Sequence, residues 1–101
     1  MQKTVINEVF DVLRGINAVD SESEFARDWL GRSECYLRTL RFKGAEPSVA
    51  TIAICASKLQ HYGNQLIKQR QHEALGRQFL SLSQQCHAQI NQKSKALWLN
   101  P

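Results

Sequence analysis

Five apolar residues in the last third of the chain set the strongest constraint. Leu75, Phe79, Leu82, Cys86 and Ile90 step by 4, 3, 4 and 4. That spacing puts them on one face of a helix, and a face so apolar must pack against another surface. The rest of the chain agrees with a helical fold. Runs with an alternating, strand-like period are absent, helix formers dominate, and only Pro47, Pro101 and five glycines interrupt the sequence. The expected fold class is all-α: four helices in a bundle plus a long C-terminal helix.

The four shorter helices are legible from their stripes and end signals. Val5, Ile6, Val9, Phe10, Leu13 and Ile16 predict a helix over residues 3–17, weakened near Gly15. Ser21 and Glu24 fit a capping box, so a second helix starts there. It carries Phe25, Ala26, Trp29 and Leu30 inward and stops at Gly31. Ser33 is the expected cap of a third helix over residues 34–42, with Leu37 and Leu40 inward. Pro47 fits a first helical position, ahead of Val49, Ile52, Ala53, Ala56 and Leu59. Gly63 is the expected end of that fourth helix, although an isolated glycine inside a helix costs only about 1 kcal/mol. Two regions of one compact domain follow, residues 1–62 and residues 63–101, the second holding the long helix and the apolar tail Ala96-Leu97-Trp98-Leu99.

At 101 residues and 11.5 kDa the chain can bury one modest core without metal or disulfide staples. Cys35, Cys55 and Cys86 are odd in number and widely spaced, so a disulfide framework is not expected. No stretch approaches the roughly 20 apolar residues of a spanning helix, and the N-terminus does not read as a signal peptide. A cytoplasmic protein with reduced thiols and no membrane association is expected. His61, His72 and His87 stand in no metal-ligand spacing. Phosphate-binding glycine loops and nucleophile elbows are absent as well. The reading therefore expects no enzyme, no cofactor and no small-molecule substrate.

Charge is distributed unevenly. The net formal charge is +4, yet residues 1–31 carry three basic and six acidic groups. Residues 32–60 hold five basic and two acidic groups, and residues 61–101 hold five and one. The middle and C-terminal parts can attract a polyanion.

The ordered series Ser21-x-x-Glu24-Phe25-Ala26, Leu30-Gly31-x-Ser33, Tyr36-Leu37-x-x-Leu40, Gly44, Pro47-Ser48, Ile52 and Leu59 resembles the Cro/repressor, or lambda-repressor-like, helix-turn-helix family. It is also similar in flavour to an uncharacterised bacterial family of that kind. The resemblance covers residues 3–60. Two departures stand out: Ala26 precedes Gly31 by five residues where the family has four, and Glu22 stands where the family often has glutamine. The resemblance implies a sequence-specific regulator of transcription that binds double-stranded DNA as a homodimer. Its third helix would enter the major groove. Ser33, Glu34, Arg38 and Thr39 would then read bases, while Arg32, Arg41 and Lys43 would hold phosphates. Leu75, Phe79, Leu82, Leu97, Trp98 and Leu99 are the expected dimerisation residues. The alternative is a protein-interaction module that keeps the fold without DNA.

Overall fold

The computed structural model describes residues 4–99; residues 1–3, with the expected helix start at residue 3, and residues 100–101 lie outside the described residues. Among the described residues there are five α-helices, the last of them long. α1 (Val5–Gly15) is capped by Thr4, whose hydroxyl accepts from the Asn7 amide. α2 (Glu22–Trp29) is capped by Ser21, whose hydroxyl accepts from the Glu24 amide at 3.2 Å. The returning half of the predicted capping box is displaced by one residue: the Glu24 carboxylate accepts from the Asp20 amide, not from Ser21. α3 (Tyr36–Lys43) has no side-chain cap. Its predicted cap, Ser33, accepts from the Tyr36 amide through its carbonyl at 3.1 Å. That closes a turn and delays the helix by two residues. α4 (Val49–Leu66) is capped by Ser48 at 3.3 Å from the Thr51 amide, so Pro47 stands just outside the cap. A single 3-10 turn, Arg70–His72, then leads into α5 (Glu73–Leu99).

Left-handed residues end three of the helices. Asn17 (φ 62°) and Gly44 (φ 64°) allow the next amides, of Ala18 and Ala45, to bond back to the Leu13 and Leu40 carbonyls. Gly31 (φ 65°) does the same for α2, but there the Arg32 amide reaches the Ala26 carbonyl, one residue further back. This wider closure accommodates the five-residue spacing from Ala26 to Gly31. The extra residue is used: Leu30 is fully buried.

α4 and α5 make the most extensive contact in the fold. Gly63 lies against Gly76, the Ser83 hydroxyl donates to the Ala56 carbonyl at 2.8 Å, and Cys55 meets Cys86. Numbers rise along one helix as they fall along the other, which fixes an antiparallel hairpin. Gly63 therefore does not end α4, as expected, but lies buried in its interior, and the expected boundary at residues 62–63 falls inside a helix. A Cβ on Gly76 would come within 2.7 Å of the Ile67 nitrogen and 3.0 Å of the Gly63 carbonyl oxygen. The two backbones can approach this closely only without side chains between them.

The hairpin supplies half of the core: Ile52, Cys55, Ala56, Leu59, Phe79, Leu82 and Cys86. Ile6, Val9 and Leu13 of α1 and Phe25, Trp29 and Leu30 of the α2 region supply most of the rest. Trp29 meets Phe79 edge-on at 6.1 Å, and its outer face is covered by the Lys58 ammonium at 6.0 Å. Burial corrects some expected positions. Ala53 is exposed, and Leu40 is only half-buried. Phe79 and Leu82 sit inside the chain's own core, with Leu75 packed against it, so these three expected dimerisation residues are occupied within one chain. Leu97, Trp98 and Leu99 remain 75%, 65% and 58% exposed. α5 carries them straight on past its last ion pair, Lys93 to Glu46, rather than folding them back.

Gly76→Ala should destabilise the protein by about 1–3 kcal/mol, because the clash is with backbone that must shift. Gly15→Ala, in the last turn of α1 with nothing within 4 Å of its added Cβ, should stabilise by about 0.5–1 kcal/mol. Urea unfolding of the two variants checks the opposite signs.

Candidate functional site

α3 is the least embedded helix. None of its residues is buried, and it meets the rest of the chain chiefly through α2. Leu37 and Leu40 face inward and are half-buried. The opposite face is bare: Arg38, Thr39 and Phe42 are all exposed, and Lys43 follows in the last turn. Phe42 is 92% exposed. The ring therefore contributes nothing to the core. Phe42 lies one turn from Arg38, so an aromatic ring and a guanidinium share the surface. It was not among the expected readers. The signal was present, since Phe42 sits outside the Leu37–Leu40 stripe.

The expected site residues divide into engaged and free groups. Arg32 lies in the α2–α3 connection and donates through Nε to Thr51 Oγ1 at 3.0 Å and through Nη2 to Ser48 Oγ at 3.2 Å. Its guanidinium also stacks 5.2 Å from the Tyr36 ring centre. The Tyr36 hydroxyl shares a hydrogen bond with Thr51 and accepts from the Ser48 amide. Arg32 therefore clamps the connection to the first turn of α4. Because hydroxyls, not carboxylates, receive these bonds, its positive charge stays unneutralised. Arg41 differs: it forms an ion pair with Glu22 at 2.8 Å, across from α3 to the first turn of α2. The Glu22 carboxylate, where a phosphate would be repelled, is thereby offset. Arg38 and Lys43 have no ion-pair partner among the described residues, and Ser33 and Glu34 are exposed in the connection ahead of α3.

Two of the three cysteines lie in the core. Cys55 and Cys86 are both fully buried. The Cys55 thiol donates to the Cys86 sulfur, and that bond, together with burial, pushes the Cys55 thiol up, which keeps it protonated. Cys35 is exposed at the start of α3. Lys93 holds the Glu46 carboxyl below its ordinary value through a hydrogen bond and charge attraction. Among the described residues no cluster of His, Cys, Asp and Glu could hold a metal ion, and no helix is long and apolar enough to cross a membrane.

A five-helix chain with one lightly seated basic helix is the class that fold and site define. By sequence the chain belongs to DUF6626, a family of unknown function, whose profile matches residues 6–99. No curated protein and no solved structure matches it significantly.

Arg32→Ala should cost about 1–2 kcal/mol of stability, since it strips a charged donor from the buried Thr51 hydroxyl. Phe42→Ala should change stability by no more than about 0.5 kcal/mol, as an exposed residue without core contacts does. Chemical denaturation of both variants tests the division between clamp and free surface.

Proposed function

We propose that this protein binds double-stranded DNA through α3 and acts as a regulator of transcription, without catalysis. The observation that carries the reading is the position of α3: a short helix held outside the core, with Arg38, Thr39, Phe42 and Lys43 on its free face. A helix set out in this way can enter a major groove without disturbing the fold. Arg38 can pair with a guanine edge, and the Phe42 ring can contact a thymine methyl. Arg32, with its charge intact beside the first turn of α4, and Lys43 serve phosphates. The surplus of basic groups after residue 31 supplies long-range attraction. The resemblance to the Cro/repressor family points the same way.

The second reading is a protein-interaction module. It is favoured by the exposed Phe42 and by the Glu22–Arg41 pair, which removes one phosphate-binding cation. Titration of random duplex DNA against salt separates the two. Phosphate-driven binding weakens with a logarithmic slope of about 0.9 per contacted phosphate. In that assay Lys43→Ala should weaken binding and flatten the slope, while on a duplex selected for tight binding Arg38→Ala should lose about 1–3 kcal/mol of discrimination at one base pair. Full-length protein that ignores duplex at low salt would leave the interaction module.

The reading includes a homodimer, now assigned to the α5 end alone. Leu97, Trp98 and Leu99 form an exposed apolar patch, and tryptophan is a common interface anchor. A chain cut after Lys95 keeps the Lys93–Glu46 pair and the whole core. Light scattering should show a dimer for the full chain and a folded monomer for the cut one; a full chain that stays monomeric at micromolar concentration rejects the dimer.

A further inference from the structure

Where α1, α2 and α4 end and α5 begins, the four helices leave a groove of about 560 Å³ at the surface. Its floor is Trp29 and Phe79, and the Tyr62 ring continues the aromatic surface 5.5 Å from Trp29. Ile16, Leu66 and Leu75 form the rim with Tyr62. Ile16 is 42% exposed and Tyr62 41%, while Leu66 and Leu75 are half-buried. Exposed apolar side chains are ordinary when scattered, but here they gather around one depression, as they do at an interaction surface. Every lining residue is a described one, and the groove lies at the far end of α1 from Thr4 and at the far end of α5 from Leu99.

The same chain carries an apolar segment that nothing among the described residues covers. Leu97, Trp98 and Leu99 stay mostly exposed at the tip of α5. Successive residues of a helix point about 100° apart, so these three make the tip apolar around most of its circumference. A helix with one apolar stripe lies against a surface, whereas one that is apolar all round is enclosed. The tip is therefore suited to a groove and not to a flat face. It cannot reach the groove of its own chain. From residue 75 to residue 98 of the one continuous helix, at about 1.5 Å per residue, is about 34 Å.

Charge agrees with the shape. Lys93, before the tip, is held by Glu46, but Lys95 is exposed and has no ion-pair partner among the described residues. At the groove, Lys58 is engaged with the Asp28 carbonyl and the Trp29 ring. The Asp28 carboxylate is exposed and has no ion-pair partner among the described residues. An unpaired cation thus stands beside the tip and an unpaired anion beside the groove.

We propose that the α5 tip of one copy of this chain docks in the Trp29–Tyr62 groove of a second copy, with Lys95 beside Asp28. The proposal rests on the homodimer reading and adds the seat of the tip; it does not depend on DNA binding. Each copy carries both parts, so two copies that exchange tips satisfy both ends and close as a dimer.

Isotope-filtered NMR on a dimer mixed from labelled and unlabelled full chains tests the seat. Cross-relaxation from the Trp98 ring of one copy to the Ile16 and Leu75 methyls of the other is expected. Ile16→Lys, at the rim and outside the core, should weaken dimerisation at least about tenfold in sedimentation equilibrium. Its thermal unfolding at dilutions where both proteins are monomeric should match that of the parent. Asp28→Lys and Lys95→Asp should each weaken the dimer about two- to fivefold at low salt, and the two together should restore most of the loss. A full chain that stays monomeric overturns the dimer and the seat together. The seat alone is overturned by a dimer whose Trp98 ring contacts only the partner's tip, by one indifferent to Ile16→Lys, or by a double charge variant no tighter than the single ones.

Discussion

The close crossing of α4 and α5 at Gly63 and Gly76 is the constraint on which the rest of the molecule depends. With no side chain between them, the two backbones come near enough for Ser83 to reach the Ala56 carbonyl and for Cys55 to meet Cys86 further along. These contacts set one register for the hairpin, and that register presents Ile52, Leu59, Phe79 and Leu82 as a single apolar surface. α1 and α2 are laid on this surface. α3 is seated more lightly: none of its residues is buried, Tyr36 and Leu37 only border the core, and α2 and the Arg32–Tyr36 bonds to Ser48 and Thr51 hold it. A bulky substitution at Gly76 would therefore disturb everything packed on the hairpin.

Much of this order was legible in the sequence. The Leu75–Ile90 stripe gave a long helix, and Ser21 and Gly31 bracketed α2 correctly, because caps and left-handed stops are local chemistry. Gly63 departs from the expected helix end for a physical reason. A glycine that ends a helix and a glycine that admits a neighbouring backbone look the same in one dimension, and only the partner Gly76 tells them apart. Ser33 departs from its expected role in the same way: a serine caps a helix or opens a turn according to how tightly the preceding connection closes. The wider closure from Arg32 to Ala26 decided it.

The site was less legible than the fold. Arg32, Arg38 and Arg41 look alike as a run of cations, yet one is a clamp, one is free, and one is paired with Glu22. Those roles depend on residues 16 to 19 positions away, Ser48, Thr51 and Glu22, which no local pattern joins to them. The apolar stripe on α5 was divided in the same way. Its Phe79–Leu82 part is core, and only the end beyond Lys93 is outside it, because the length of the α4 partner, not the stripe itself, sets where cover stops.

The shallow seating of α3 has a kinetic consequence. A helix that buries no residue can separate from the body while the hairpin and its apolar surface stay intact, so its amides belong to a unit of low local stability. The hairpin joins neighbours in sequence and is closed by a short connection, the kind of local pairing that forms early in folding. α3 then docks late and undocks often, exchanging its amide hydrogens through openings that the amides of α4 and α5 do not share.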